Sequence, residues 1–344
     1  MTYRFTYEGA NHVTVQPNQD AQHILDVAGL AKHFPVRRSL VAALRRERGR
    51  VVRAVDGVSF TLGRGEVLAL VGESGCGKTT TALSVLGLVE PSGGAVRFEG
   101  RPLHESLRRD PSLRRAIQMV FQDPYESLNP RMTVGQLVSE PLEVHGLLDA
   151  DGRRAKVLAT LEEVGLRPAA EFVHRRPHEL SGGQRQRVGI AASLVTEPHL
   201  LVADEPVSML DVSIRAEILL LLNELRRRRG ISILFITHDL ATAALFADRI
   251  AVMYLGRIVE IGPASAVLSQ PLHPYTRALI SVIPSPDPRR RRERLILQGE
   301  TPNPADIPAG CRFHPRCPLA ADACRRTDPQ LERKGGHEVA CIRV

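Results

Sequence analysis

The stretch "EVLALVGESGCGKTTTALSVLG" (66–87) constrains this chain more than any other. An almost wholly apolar run, 66–72, ends at a glycine and reads as a strand buried on both faces. Residues 72–79 then fit G-x-x-x-x-G-K-[ST], and a helical pattern follows over 78–88. Strand, glycine-rich loop and helix in that order make a phosphate cradle. Glycines let the loop backbone wrap phosphates with its N–H groups, Lys78 reaches the β- and γ-phosphates, and the Thr79 hydroxyl ligates magnesium. Gly72, Glu73, Ser74, Gly75, Cys76, Gly77, Lys78, Thr79 and Thr80 are therefore the candidate ATP-binding residues. Cys76 needs only to be small there, and no reactivity is expected of it.

The strand signal recurs. "HLLVADE" (199–205) and "SILFITHD" (232–239) are apolar runs of the same kind, separated by helical patterns at 183–196 and 213–229. Such alternation predicts a parallel sheet covered on both faces, with ligands beyond the C-terminal strand ends. The first run delivers Asp204, suited to magnesium, and Glu205, suited to orienting and activating water; the second delivers His238, placed for a γ-phosphate. "RIAVMYL" and "RIVEIG" flank Gly256 and read as a hairpin. In "AEILLLLNELRRRRG" the arginines 226–229 complement a helix C-terminus, with Gly230 as its cap.

"ELSGGQRQRVGIAASL" (179–194) opens a second helix with a free N-terminus: Ser181 and Gln184 have capping-box spacing, and Gly182 and Gly183 leave its N–H groups bare. A second anion-binding helix cannot easily reach a nucleotide already cradled by the first, so it is expected to serve the nucleotide of another subunit. At this point the chain resembles the ATP-binding cassette ATPases: "LSGGQ" is their signature, and "GESGCGKT", "LLVADE" and His238 stand in the family's order. The resemblance implies an α/β fold with a RecA-like parallel-sheet core, an antiparallel β subdomain and a helical signature subdomain, about 124–190, within an ATPase domain over 24–265. It adds Gln122 of "MVFQDP" as a magnesium- and water-contacting group beside Thr79 and Asp204, and Asp211 of "SMLD" as a residue acting across a dimer with Ser181, Gly182, Gly183 and Gln184. Phe34 of "VAGLAKHF" is nominated to stack on adenine, which leaves the basic segment 35–50 as an insertion.

Finer resemblance points to the oligopeptide/dipeptide importers of bacteria and archaea, through "FQDPYESLNPRMTVGQ", "DEPVSMLDVS", "PLHPYTRALI" and the tail "GCRFHPRCPLAADAC" with "HEVAC". "DEPVSMLDVS" is closer to the last-encoded of that family's two paired ATPases. This implies a second cassette subunit, two transmembrane permease subunits, an extracytoplasmic solute-binding protein, and a peripheral place on the cytoplasmic face of the cell membrane. Gln122 and the segment to about residue 145 would face the permease. Peptides are the expected solute. The C-terminal region, 266–344, carries Cys311, Cys317, Cys324 and Cys341 at spacings without the C-x2-C knuckles of zinc ribbons. Four thiolates suit zinc or a cubane cluster, and four unliganded thiols are the remaining reading. The resemblance favours a [4Fe–4S] cluster on the four, stapling a tail that lacks its own core, with His314 and His337 left at the surface.

Bulk properties limit the alternatives. A chain of 344 residues, 43% hydrophobic and 24% charged, can bury a large core. No apolar run approaches the roughly 20 residues that span a bilayer. Residues 1–23 are polar and unpatterned, lacking a secretory pattern, which predicts a cytosolic compartment with reduced thiols. The net charge of +8 and the runs at 37–50, 226–229 and 289–294 admit nucleic acid as a partner without requiring it. A soluble cassette ATPase acting on nucleic acid or ribosomes is the alternative, but no long coiled coil or tandem cassette supports it, and no nucleic acid is expected.

Overall fold

The computed structural model describes residues 23–35, 50–283, 295–297 and 299–344. The polar N-terminus, most of the basic segment 35–50 and the run 289–294 lie outside the described residues.

In chain order, β1 (Leu25–Pro35), β2 (Val51–Leu62) and β3 (Val67–Val71) lead through the glycine loop to α1 (Lys78–Val85), followed by β4 (Gly93–Phe98), β5 (Arg101–Pro102), α2 (Leu103–Arg109) and β6 (Ile117–Val120). A helical run follows: α3 (Pro124–Ser127), α4 (Val134–Val144), α5 (Ala150–Glu163), α6 (Ala169–Phe172) and α7 (Gly182–Leu194). The chain returns to the sheet with β7 (Leu200–Asp204), α8 (Val212–Arg229), β8 (Ser232–Thr237), α9 (Leu240–Phe246), β9 (Arg249–Tyr254) and β10 (Arg257–Pro263). Beyond α10 (Ala264–Ser269) and α11 (Pro274–Ser281), the tail contributes β11 (Glu332–Lys334) and β12 (His337–Val339).

Among the described residues the strands form two sheets, one ordered β2-β1-β4-β5 and antiparallel, the other ordered β11-β12-β10-β9-β3-β8-β7-β6. In the larger sheet β6, β7, β8, β3 and β9 run parallel, as their apolar sequences demand, and β9–β10 closes as the hairpin about Gly256. Every residue of β3 is buried. Alternate side chains part to opposite faces: Val67, Ala69 and Val71 join a core with α7 and α8, while Leu68 and Leu70 join one with β1, β2 and α1. This double burial fixes the register of β3, and with it the position of the loop that β3 feeds.

Local chemistry sets the helix ends that matter here. α8 stops at Gly230, whose φ of 67° is the left-handed cap an L side chain resists. Its arginines also work tertiarily, Arg229 on Glu163 and Arg226 on Asp248. The tail adds β12 to the edge of β10, pairing Glu260 with Val339 and Ile261 with Glu338.

Candidate active site

The loop from Gly72 to Thr79 depends on backbone that tolerates no Cβ. A Cβ on Gly72 would stand 2.3 Å from the Met253 carbonyl oxygen, and one on Gly77, at φ +106°, 2.2 Å from that of Ala54. β9 and β2 thus press the loop from two sides. Gly75, at φ +78°, instead faces open space. Lys78 is buried, and its Nζ donates to the carbonyls of Gly72 (2.7 Å) and Glu73 (3.1 Å), folding the cation back into the loop. Cys76 is buried against the loop, and burial pushes its thiol above the ordinary range, consistent with an unreactive filler.

A cavity of about 430 Å³ opens in front of the loop, lined by Ser74, Gly75, Gly77, Lys78, Thr79 and Thr80 together with Ala54, Gln122, Glu205 and His238. Residues from the ends of β6, β7 and β8 therefore meet the loop at the C-terminal edge of the parallel strands, the place where a doubly covered sheet binds ligands. The Glu205 Oε2 accepts from Gln122 Nε2 at 3.4 Å and lies 2.9 Å from His238 Nδ1. Glu205 itself holds a φ of 45°, which turns its side chain out of β7.

Asp204 is buried, and its Oδ1 finds no hydrogen-bond partner. Burial pushes its carboxyl above the ordinary range and the neighbouring Glu205 adds to this, against a hydrogen bond from Thr79. A buried acceptor left unpaired beside a hydroxyl and a second carboxylate fits a magnesium site of oxygen ligands.

The signature residues lie elsewhere. Ser181 caps α7 with a reciprocal capping box: its Oγ accepts from Gln184 N–H at 3.3 Å, and Gln184 Oε1 accepts from Ser181 N–H at 3.0 Å. A Cβ on Gly183 would stand 2.7 Å from Ile214, so α7 sits tight on α8. Asp211 stands at the N-cap of α8 without a side-chain cap bond. Neither Asp211 nor the signature lines the cavity around the loop. Phe34, on β1 opposite Val52, is 40% exposed and also stands outside that lining.

The four tail cysteines require a correction. Among the described residues no group of three or more His, Cys, Asp or Glu side chains is arranged to hold a metal ion, which removes both the [4Fe–4S] cluster and zinc from Cys311, Cys317, Cys324 and Cys341. All four are free thiols around a shared void of only about 10 Å³, no more than one water needs. Burial, then the neighbouring thiols, pushes Cys311 up to about 11, so the free thiol stays protonated at neutral pH. The tail is fastened by the residues between and around the cysteines. Arg312 pairs with Asp56 and donates to the Leu255 carbonyl; Phe313 packs edge-on to Tyr254 at 5.2 Å and against Tyr275 at 5.4 Å. His337, expected at the surface, is buried 2.6 Å from the fully buried Glu260, which also accepts the N–H groups of Leu272 and His273.

Sequence reasoning missed what holds the loop from behind. Tyr275 Oη accepts the Glu73 N–H at 3.0 Å, and Arg316 and Thr301 bind the Glu73 carboxylate. Tyr275 stood within "PLHPYTRALI", a recognised stretch, but nothing in its spacing signalled a contact about 200 residues away.

The ABC transporter family matches residues 55–208, and the C-terminal region of the oligopeptide/dipeptide transporter family matches 259–324. A Brucella ovis protein named as a peptide import ATP-binding protein is 49% identical over 322 residues, covering 93% of this chain and 98% of its own. The dipeptide transport ATP-binding protein DppF of Haemophilus influenzae is 47% identical, covering 93% and 97%. Among solved structures, cbiO1 from Clostridium perfringens, part of the ABC transporter complex cbiONQ, aligns with a TM-score of 0.62 at 33% identity, over 72% of this chain and 92% of that one. The cassette MJ0796, as a dimer bound to ADP and Pi, aligns with a TM-score of 0.60 at 27% identity, over 70% and 98%.

Proposed function

Because the chain belongs to the ABC transporter ATPases, with the C-terminal region of the oligopeptide/dipeptide transporters, we propose that it drives peptide import by hydrolysing ATP at the loop of residues 72–80. The observation that carries this reading is the convergence of Lys78, Gln122, Glu205 and His238 on one cavity, in a chain whose relatives are named for peptide import. No relative or structural neighbour described above favours the nucleic-acid alternative.

In this reading the loop N–H groups and Lys78 bind the β- and γ-phosphates, Lys78 leaving the Gly72 and Glu73 carbonyls to do so. Phe34 stacks on adenine. Glu205 orients the attacking water and accepts its proton at the oxygen it shares with Gln122 and His238; His238 holds that carboxylate and faces the γ-phosphate. The oxygen of water bonds to the γ-phosphorus as the bond to the bridging oxygen breaks, giving ADP and phosphate. Thr79, Gln122 and Asp204 would hold a magnesium ion, which would neutralise charge on the phosphates. Ser181, Gly182, Gly183, Gln184 and Asp211 complete the site of a second cassette subunit. Two transmembrane permease subunits, an extracytoplasmic solute-binding protein and a peripheral position on the cytoplasmic face of the cell membrane complete the assembly. Among the described residues no helix is long and apolar enough to cross a membrane, so the reading assigns the channel to separate chains.

The test is uptake of labelled di- and oligopeptides by cells lacking the gene. Uptake restored by the native chain and not by Glu205→Gln supports the reading. Unchanged uptake of every peptide in the deletion strain overturns peptide import, and leaves the ATPase.

A further inference from the structure

Glu73 is held from behind by the C-terminal region. Its Oε2 accepts from Arg316 Nη1 at 2.8 Å and from Thr301 Oγ1 at 2.6 Å, and its Oε1 accepts from Arg316 Nη2 at 3.2 Å. Arg316 also donates to Thr301 Oγ1 at 3.0 Å and lies over the Tyr254 ring, 5.9 Å from its centre. Its side chain is only 9% exposed. Three residues before it, Phe313 sits in the cage of Tyr254, Tyr275 and His273, so the backbone that presents Arg316 is itself wedged in place.

A carboxylate in a phosphate cradle is otherwise a liability. Glu73 follows the first glycine of the loop, its carbonyl is one of the two that hold Lys78 Nζ, and its carboxylate, turned behind the loop onto Arg316, still feels the charge of Lys78. We propose that Arg316 is a positioning residue for the nucleotide. It neutralises Glu73 through a bidentate pair and pins the loop backbone, so that Lys78 can move to the phosphates while the cradle keeps its shape. Although burial opposes it, the Arg316 pair together with the Thr301 hydroxyl holds the Glu73 carboxyl below its ordinary range, so the clamp is charged on both sides at neutral pH. The tail thereby contributes to the nucleotide site across more than 200 residues of sequence.

The inference rests on the loop being the ATP site, and the experiment separates the two. Full-length protein is titrated with a ribose-labelled fluorescent ATP and magnesium, with thermal unfolding of the nucleotide-free protein as the parallel measurement. Lys78→Ala should abolish binding; unaltered binding there sinks the loop as the site, and this inference with it. With Lys78→Ala inactive, Arg316→Ala should weaken binding about tenfold through the exposed like charge. Adding Glu73→Gln to Arg316→Ala should return affinity to within about threefold of native, because it removes that charge. Arg316→Lys, which keeps the charge but loses the bidentate pair and serves if the alanine variant does not fold, should bind more weakly than native and more tightly than Arg316→Ala. Native-like affinity in Arg316→Ala, a double variant no tighter than the single, or Arg316→Lys binding no tighter than Arg316→Ala would each overturn the proposal, since a purely structural role is not rescued by neutralising Glu73.

Discussion

The phosphate loop and the cysteine-bearing tail are both short irregular stretches dense in motif residues, and they are built in opposite senses. In the loop the marked residues converge on open space. Lys78, Thr79 and Glu205 line a cavity of about 430 Å³, and Asp204 keeps an oxygen without a partner. In the tail the marked residues, the cysteines, close on a void of about 10 Å³, while the unmarked residues between them reach into the ATPase body. A cavity of that size, ringed by cationic, acidic and hydroxyl side chains, indicates a site made for a ligand. A void no larger than a water indicates packing. The difference locates chemistry in the first region and fastening in the second.

Four substitutions can break or sharpen that contrast. Glu205→Gln should lower the ATPase turnover number by about 10²- to 10⁴-fold while nucleotide still binds, read by phosphate release and fluorescent-nucleotide titration. A turnover within threefold of native would mean that the cavity residues do not perform the reaction. Phe313→Ala should destabilise the folded protein by about 3–5 kcal/mol, because it empties the cage of Tyr254, Tyr275 and His273, as followed by urea unfolding. A cost below about 1 kcal/mol would remove the fastening role from the residues between the cysteines.

Asp204→Asn should act on the two functions in opposite directions. A carboxyl whose folded pKa is raised contributes stability below its unfolded value of 3.8, loses it as pH rises through the folded value, and carries a cost at neutral pH. The amide should therefore raise the stability of the nucleotide-free protein by about 1 kcal/mol at pH 7 and leave it unchanged near pH 3, while abolishing stabilisation by magnesium with ATP. Thermal unfolding across pH reads both arms, and a loss of stability at pH 7 would show that Asp204 is a satisfied structural group. The smallest effect is expected in the tail: Cys317→Ser should change stability by less than about 0.5 kcal/mol, and a strong iron or zinc chelator should leave the melting temperature where it was. A drop of several degrees with chelator would restore a bound metal to the thiols and erase the contrast.

The legible parts of the molecule were those whose meaning is local. The run 66–87 states its own strand, loop and helix, because the apolar burial of β3, the glycine backbone and the helix start all lie within about twenty residues. The same holds for the β7 carboxylates and for the capping box of α7. Contacts between distant residues of ordinary type were not legible. Thr301, Arg316 and Tyr275 gain their importance only where the chain returns to Glu73, and Glu260 with His337 reads as two common surface residues until β12 is laid on β10. The cysteines misled for the converse reason: spacing records that four thiols are near in sequence, whereas a metal needs them directed at one open point. Phe34 is a third case, an aromatic nominated by resemblance alone: it stands exposed on β1, open to a ring laid on it, and no contact in the structure marks it out.

The placement of β12 also bears on how the protein survives its own synthesis. β10 meets β9 on one side and β12 on the other, and the Ala340 N–H bonds the Val259 carbonyl at 2.8 Å. Until residues 337–340 have left the ribosome, the outer backbone groups of β10, in the run "RIVEIG", stand ready to pair with any other nascent strand. A stop codon or proteolytic cut before residue 332 would thus leave the phosphate loop's own sequence intact and yet leave the outer edge of β10 without its covering strand.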